Sequence, residues 1–185
     1  MNPARVDDFV ALLTALRDAR RLPSAVLQTW AVGGVDREWL VERAFGSVMR
    51  FVRAAGTVGI DVPRLFCTIT SGVHRVRGDE TLTPGAATSL GPALVLPVEH
   101  QGVTARTIDV AAVEWSRAGA PLAKALLAAA IDPATPAVAA FRGGRIWARS
   151  FHPQKLDAAP PAVLPSRGVF LITGGYGGVG LQLGR

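Results

Sequence analysis

Gly168-Val169-Phe170-Leu171-Ile172 runs directly into Thr173-Gly174-Gly175-Tyr176-Gly177-Gly178-Val179-Gly180. An apolar run of strand length followed by a glycine-rich turn is what a dinucleotide site requires. Glycines let the backbone turn sharply and approach a pyrophosphate with no Cβ in the way, and the helix that follows points free N–H groups at the phosphates. Gly174, Gly178 and Gly180 have that spacing, so Thr173, Gly174, Gly175, Tyr176, Gly177, Gly178, Val179 and Gly180 are the candidate cofactor-binding residues. The same letters also describe a glycine-rich turn before an ordinary helix, and the strand-like run ahead of them favours the phosphate loop. In such folds the residue that selects NAD or NADP lies near the end of the next strand, past these positions, so the choice is unreadable here.

Just upstream, residues 153–165 shift to Pro and Ala with few periodic apolar positions, which predicts an extended linker. Everything before it alternates helix and strand. Val6, Phe9, Leu12, Leu13 and Leu16 repeat at helical spacing within residues 5–19, and residues 25–30 form a short strand. Gly33 and Gly34 make a turn, and from Asp36 as N-cap a single helix carries Leu40, Ala44, Val48, Phe51, Val52 and Ala55 until Gly56 and Gly59. Residues 65–70 are a compact strand. Thr83 and Pro84 start a helix that runs to about residue 95. Residues 104–110 have strand character, 116–131 are helical, and 137–141 with 146–151 flank Arg142-Gly143-Gly144-Arg145 as a hairpin. Strands separated by such helices imply parallel pairing with helices on both faces of the sheet, an α/β fold.

The 185 residues make one domain or one and a fraction, and 49% hydrophobic with 18% charged residues supplies a real core. That excludes a disordered or collagen-like chain. Cys67 is the only cysteine, and His74, His100 and His152 are far apart, so neither a disulfide framework nor metal-ligand spacing is present. No apolar run is long enough to span a membrane, and Arg5, Asp7 and Asp8 occupy the place of a signal peptide's apolar region. These features point to a cytoplasmic chain without a membrane partner. The net charge of +6 comes almost wholly from arginine, only Lys124 and Lys155 being lysine. The arginines are scattered, with Arg43, Arg50 and Arg53 along one helix and Arg20 beside Arg21. This pattern fits solvated helix faces before a docking surface for an acidic protein, and it fits nucleic acid least.

Catalytic constellations are weaker. Carbonyl reduction by a tyrosine needs a lysine one helical turn away, whose ammonium lowers the phenol pKa. The only tyrosine is Tyr176, with Gly180 four residues on, so no catalytic residue is assigned. Ser71 and His74 lie close together but outside a nucleophile elbow. Asp79 and Glu80 read as loop or capping carboxylates, Glu99 and His100 as a surface pair, and Trp30, Trp39, Trp115 and Trp147 as core or boundary fillers.

Several stretches resemble the ketoreductase region of bacterial modular (type I) polyketide synthases. Leu22-Pro23 leads into a strand ending at Trp30, and Thr70-Ser71-Gly72-Val73-His74-Arg75-Val76-Arg77-Gly78-Asp79-Glu80 follows. Then come Pro84, Ala87-Thr88-Ser89-Leu90-Gly91-Pro92 and Ile108-Asp109-Val110 in the same order. Phe141-Arg142-Gly143-Gly144-Arg145-Ile146-Trp147-Ala148-Arg149, the linker and Leu171 to Gly180 are similar to that family's passage between its two halves.

The resemblance implies a non-catalytic, truncated Rossmann-like structural subdomain over residues 1–152 with a mostly parallel sheet. A linker over 153–167 and the first strand and glycine-rich loop of a second Rossmann fold over 168–185 would follow. That second fold is the family's NADPH-binding catalytic subdomain, a short-chain dehydrogenase, whose Ser, Tyr and Lys have no counterpart here. The complete domain would reduce a β-ketoacyl thioester to the β-hydroxy form, with NADPH as cofactor and an acyl carrier protein bearing the chain on phosphopantetheine as partner. The chain itself is expected to be an inactive scaffold that binds NADPH weakly or not at all. The alternative is the N-terminal part of a free-standing NAD(P)-dependent oxidoreductase with a separate substrate domain.

Overall fold

A computed structural model of the chain describes residues 1–32, 37–117, 119–155 and 167–184. The Gly33-Gly34 turn, the Asp36 cap and residues 156–166 of the expected linker lie outside the described residues. Two compact units are present, Met1–Ser150 and Phe151–Arg185.

The first unit is an α/β sheet. Its strands are β1 (Ala25–Ala31), β2 (Leu65–Ser71), β3 (Thr104–Val110), β4 (Val138–Arg142) and β5 (Arg145–Ala148), ordered β1-β2-β3-β4-β5 across the sheet. The pairs β1–β2, β2–β3 and β3–β4 are parallel and β4–β5 is antiparallel. The mostly parallel α/β architecture read from the sequence is therefore the one observed.

Strand register explains where the core sits. Phe66 pairs with Ala105, while Cys67 and Ile69 pair with Arg106 and Ile108, so alternate residues feed opposite faces. On the first face Phe66 and Ala105 pack with Phe9 and Leu13 of α1 (Val6–Asp18), Val48, Phe51 and Ala55 of α3 (Ser47–Val58) and Leu96 of α4 (Leu90–Glu99). Phe51 meets Phe9 and Phe66 edge-on, with ring centroids 6.1 Å and 5.4 Å apart. On the second face Cys67, Ile69, Ile108, Val110 and Phe141 pack with Leu126, Ala129 and Ala130 of α6 (Ala120–Ile131). α3 stops where Gly59, at φ +72°, takes the left-handed conformation and Ile60 donates back to the Ala55 carbonyl, 3.0 Å. Ile60 then packs on the same core.

Several expected helices differ in detail. The single helix over residues 36–55 is instead α2 (Arg37–Val41), a π-helical turn (Glu42–Gly46) and α3. The wider turn redirects the Arg43 carbonyl, which accepts hydrogen bonds from the Gln28 amide and the Ser47 hydroxyl. Gly46, without a Cβ, leaves room for the Arg50 guanidinium, which bonds Glu42 and donates to the Pro3 carbonyl at 3.2 Å. Arg50 is thus engaged with its own chain.

The helix expected from Thr83 begins as a 3-10 turn (Pro84–Ser89) and continues as α4 to Glu99, past residue 95. The helix over 116–131 is two, α5 (Ala112–Ser116) and α6, because Gly119 is extended and Pro121 opens a new first turn. Trp39 and Trp147 are exposed, not core fillers.

In the second unit the expected strand over residues 168–172 is absent, and Val169 and Leu171 are fully exposed. A strand exists only by pairing, and its own unit offers no neighbouring strand among the described residues.

Replacing Phe66 by Ala removes the ring on which α1 and α3 converge. Urea denaturation should show a loss of about 3–5 kcal/mol with an unchanged dependence on denaturant.

Candidate functional site

The sequence-assigned loop lies in the second unit. Gly174 has φ +72°, and its carbonyl accepts the Gly177 N–H at 2.8 Å, which closes the turn. A short helix, α7 (Gly178–Leu183), follows at once. A Cβ on Gly180 would lie 2.5 Å from the Gly174 carbonyl oxygen and 2.6 Å from the Gly175 Cα, so the helix rests directly on the turn. Gly178 has nothing within 4 Å of its Cβ position. The three glycines therefore differ in purpose: Gly174 turns the chain, Gly180 permits backbone contact, and Gly178 leaves an open approach. This shape fits the close approach of a pyrophosphate to residues 174–178, and the Tyr176 side chain stands clear of it in solvent.

The first unit carries a different arrangement at the C-terminal ends of its strands, where α/β folds place their ligands. Arg142, at the end of β4, and Asp109, in β3, are each 1% exposed and pair at 2.7 Å. Arg142 also donates to the Asp109 carbonyl (2.6 Å), the His74 carbonyl (3.0 Å) and Glu80 (3.1 Å). Asp109 in turn accepts from the Thr70 hydroxyl (3.0 Å) and from the N–H groups of Val73 (2.9 Å) and His74 (3.2 Å). Glu80 accepts the N–H groups of Val76, Arg77 and Gly78. Residues 72–83 are thereby fastened over the strand ends by one buried ion pair and its satellites.

Titration follows this geometry. Desolvation pushes the Glu80 pKa up, but the Arg77 N–H, the Arg142 guanidinium and the Val76 N–H outweigh it and hold the carboxyl at about 2. His74 is lowered, by burial and then by the cations of Arg149 and Arg142, against the pull of Asp109. Burial raises the Cys67 thiol to about 12 against the lowering effect of Arg106, which leaves it protonated and unreactive.

The remaining crevice of about 270 Å³ is bordered by Arg77, Asp79, Glu80, Glu114 and Arg142. Glu114 accepts the Gly143 N–H at 2.5 Å, and its other oxygen is buried without a partner. A nucleotide phosphate entering here would meet three carboxylates. Among the described residues no group of three or more His, Cys, Asp or Glu side chains is placed to hold a metal ion, and no helix is long and apolar enough to cross a membrane.

Ser71 and His74, close in sequence, serve the strand end and the fastened loop: His74 is fixed through its own N–H and carbonyl. Glu80 is the capping carboxylate its sequence setting suggests. Arg142 and Asp109 escaped sequence reasoning, although one signal was available. Asp109 stands between the apolar Ile108 and Val110, and a carboxylate buried there needs a cation.

The folded pKa of Glu80 lies below its ordinary 4.5, so its contribution to stability is present above pH 4.5 and is lost as the pH falls towards 2. Glu80→Gln should flatten the fall of the urea midpoint across that window. Gly180→Ala forces α7 off the turn and should accelerate amide exchange across residues 174–184 while leaving the melting of the first unit unchanged.

No protein-family profile matches the chain, and no curated protein matches it in sequence. Solved structures do match in fold. The adenylation, ketoreductase and pseudo Asub multidomain structure of a keto acid-selecting NRPS module superposes with a TM-score of 0.79 at 20% identity, covering 99% of this chain. This chain spans 16% of that one. A short-chain dehydrogenase from Mycobacterium avium superposes with a TM-score of 0.54 at 19% identity, covering 89% of this chain and 68% of that one. The chain has the Rossmann-like fold of short-chain dehydrogenases and of a ketoreductase-containing module.

Proposed function

We propose that the chain is the structural half of an NADPH-dependent ketoreductase, joined to the opening phosphate loop of its catalytic half, within a synthase that carries its intermediates on an acyl carrier protein. The observation that carries this reading is the superposition of 99% of the chain on a ketoreductase-containing module. The residue pattern from Thr70 to Glu80, at Ile108-Asp109-Val110 and from Thr173 to Gly180 points to the polyketide branch of such enzymes.

In this reading Thr173, Gly174, Gly175, Tyr176, Gly177, Gly178, Val179 and Gly180 hold the cofactor pyrophosphate. The glycine turn accepts the phosphates through its backbone, and Gly178 keeps their approach open. Bound there, NADPH would supply the hydride that converts a β-ketoacyl thioester to its β-hydroxy form. The proton for the new alkoxide must come from a residue outside this chain, because Tyr176 lies within the cofactor loop with no lysine a helical turn away. The first unit contributes rigidity. Its strand ends are fastened by Arg142 and edged with carboxylates, which suits a brace for a neighbouring catalytic domain and not a second nucleotide site.

Calorimetric titration of the chain with NADPH should give no binding at micromolar concentrations. Added in trans to a separately produced catalytic half, the chain should restore that half's solubility and its reduction of a β-ketoacyl thioester. A change in KM with no effect on solubility would instead favour a substrate domain of a free-standing oxidoreductase, and micromolar NADPH binding by this chain alone would refute the scaffold role.

A further inference from the structure

Two helices of the first unit leave an apolar face open to solvent. Val48, Phe51 and Ala55 of α3 and Leu96 of α4 are packed into the core beneath them. Apolar side chains also stand on the side away from that core. Phe45 and Met49, one helical turn apart, are exposed, Met49 by 47%, and so are Leu94, Val95 and Val98 of α4, Val98 by 82%. α4 has ten residues, and Glu99 is its one charge. A helix that is apolar all round is a buried helix, and ten residues are too few to span a membrane, so the outer side of α4 calls for a protein cover. A groove of about 310 Å³ runs between the two helices, with Phe45, Met49, Val52, Gly91, Pro92 and Val95 among its lining.

This face is complementary to itself. α3 leads into β2 and α4 into β3, and those strands are parallel, so the two helices run in the same direction. A two-fold axis along the groove therefore sets α3 of one copy against α4 of the other. Phe45 and Met49 then form a ridge, and Gly91, with nothing within 4 Å of its Cβ position, offers the hollow that receives it. Charge follows the same symmetry. Arg53 stands one turn past Met49 and Glu99 one turn past Val95, and among the described residues neither has an ion-pair partner. We propose that the chain forms a two-fold dimer through this face, with Phe45 and Met49 of each copy seated over Gly91 of the other and Arg53 paired with the partner's Glu99. A two-fold axis across the helices is the poorer fit, because it lays α3 on α3 and buries Arg53 against apolar side chains. The contact lies wholly in the first unit and does not rest on the ketoreductase reading.

Sedimentation equilibrium of the intact chain should show a monomer–dimer equilibrium with a dissociation constant on the order of 10 µM or tighter. Met49→Glu should weaken it at least about tenfold and leave the urea midpoint in place, since the side chain is half exposed in the monomer. Arg53→Glu and Glu99→Arg should each weaken association about tenfold, and the double reversal should restore it to within about threefold of the original. Such a rescue is possible only in a folded chain. A chain that stays monomeric at about 100 µM would leave the face to a different protein and overturn the proposal. So would an undiminished dimer of Met49→Glu, a double reversal that associates no more tightly than either single change, or a mass that climbs past two copies with concentration.

Discussion

The pairing of Arg142 with Asp109 is the interaction on which the first unit depends. The cost of burying an ion pair is offset only where its geometry is good and its remaining polar atoms are hydrogen-bonded, and this pair, each side chain 1% exposed, is bonded on several sides. The bonds come from the Thr70 hydroxyl, the Val73 and His74 N–H groups, three main-chain carbonyls and Glu80. One guanidinium therefore ties β4, β3 and the segment after β2 together. Removal of either partner strands a charge in the interior, which costs about 3–5 kcal/mol and exceeds what most single core residues contribute.

This arrangement decides what the unit can be. In parallel α/β sheets the C-terminal ends of the strands form the crevice in which nucleotides are held, through glycine turns and helix N-termini. Here the same place is spanned by residues 72–83, and its remaining crevice is edged by Asp79, Glu80 and Glu114. In the second unit Gly174 and Gly180 build a tight turn, and Gly178 has open space at its Cβ position. The buried ion pair and the glycine turn thus lie in separate compact units of one chain.

Much of this was legible in the sequence because it rests on periodicity. The compact run of β2, the strand character of β3 and the helical repeat of α1 and α3 are local patterns that the two cores complete. What failed depends on partners distant in sequence. Residues 168–172 have the composition of a strand but, among the described residues of their unit, no strand to pair with. The π turn at Glu42–Gly46 exists because Gln28, from β1, and Ser47 take the Arg43 carbonyl. Arg142 looked like the corner of a hairpin, and nothing within a few residues of it announces a carboxylate 33 positions away in β3. Glu80, whose partners include three adjacent N–H groups, was readable for the opposite reason.

The most direct test is a double-mutant cycle on the buried pair, with urea denaturation of Arg142→Met, Asp109→Asn and the combined variant. Each single change should cost about 3–5 kcal/mol, and the double variant should lose at least about 1 kcal/mol less than the sum, since the second removal no longer strands a charge. Costs that add to within about 0.5 kcal/mol would show that the pair is not coupled, and would contradict the view that it organises the strand ends.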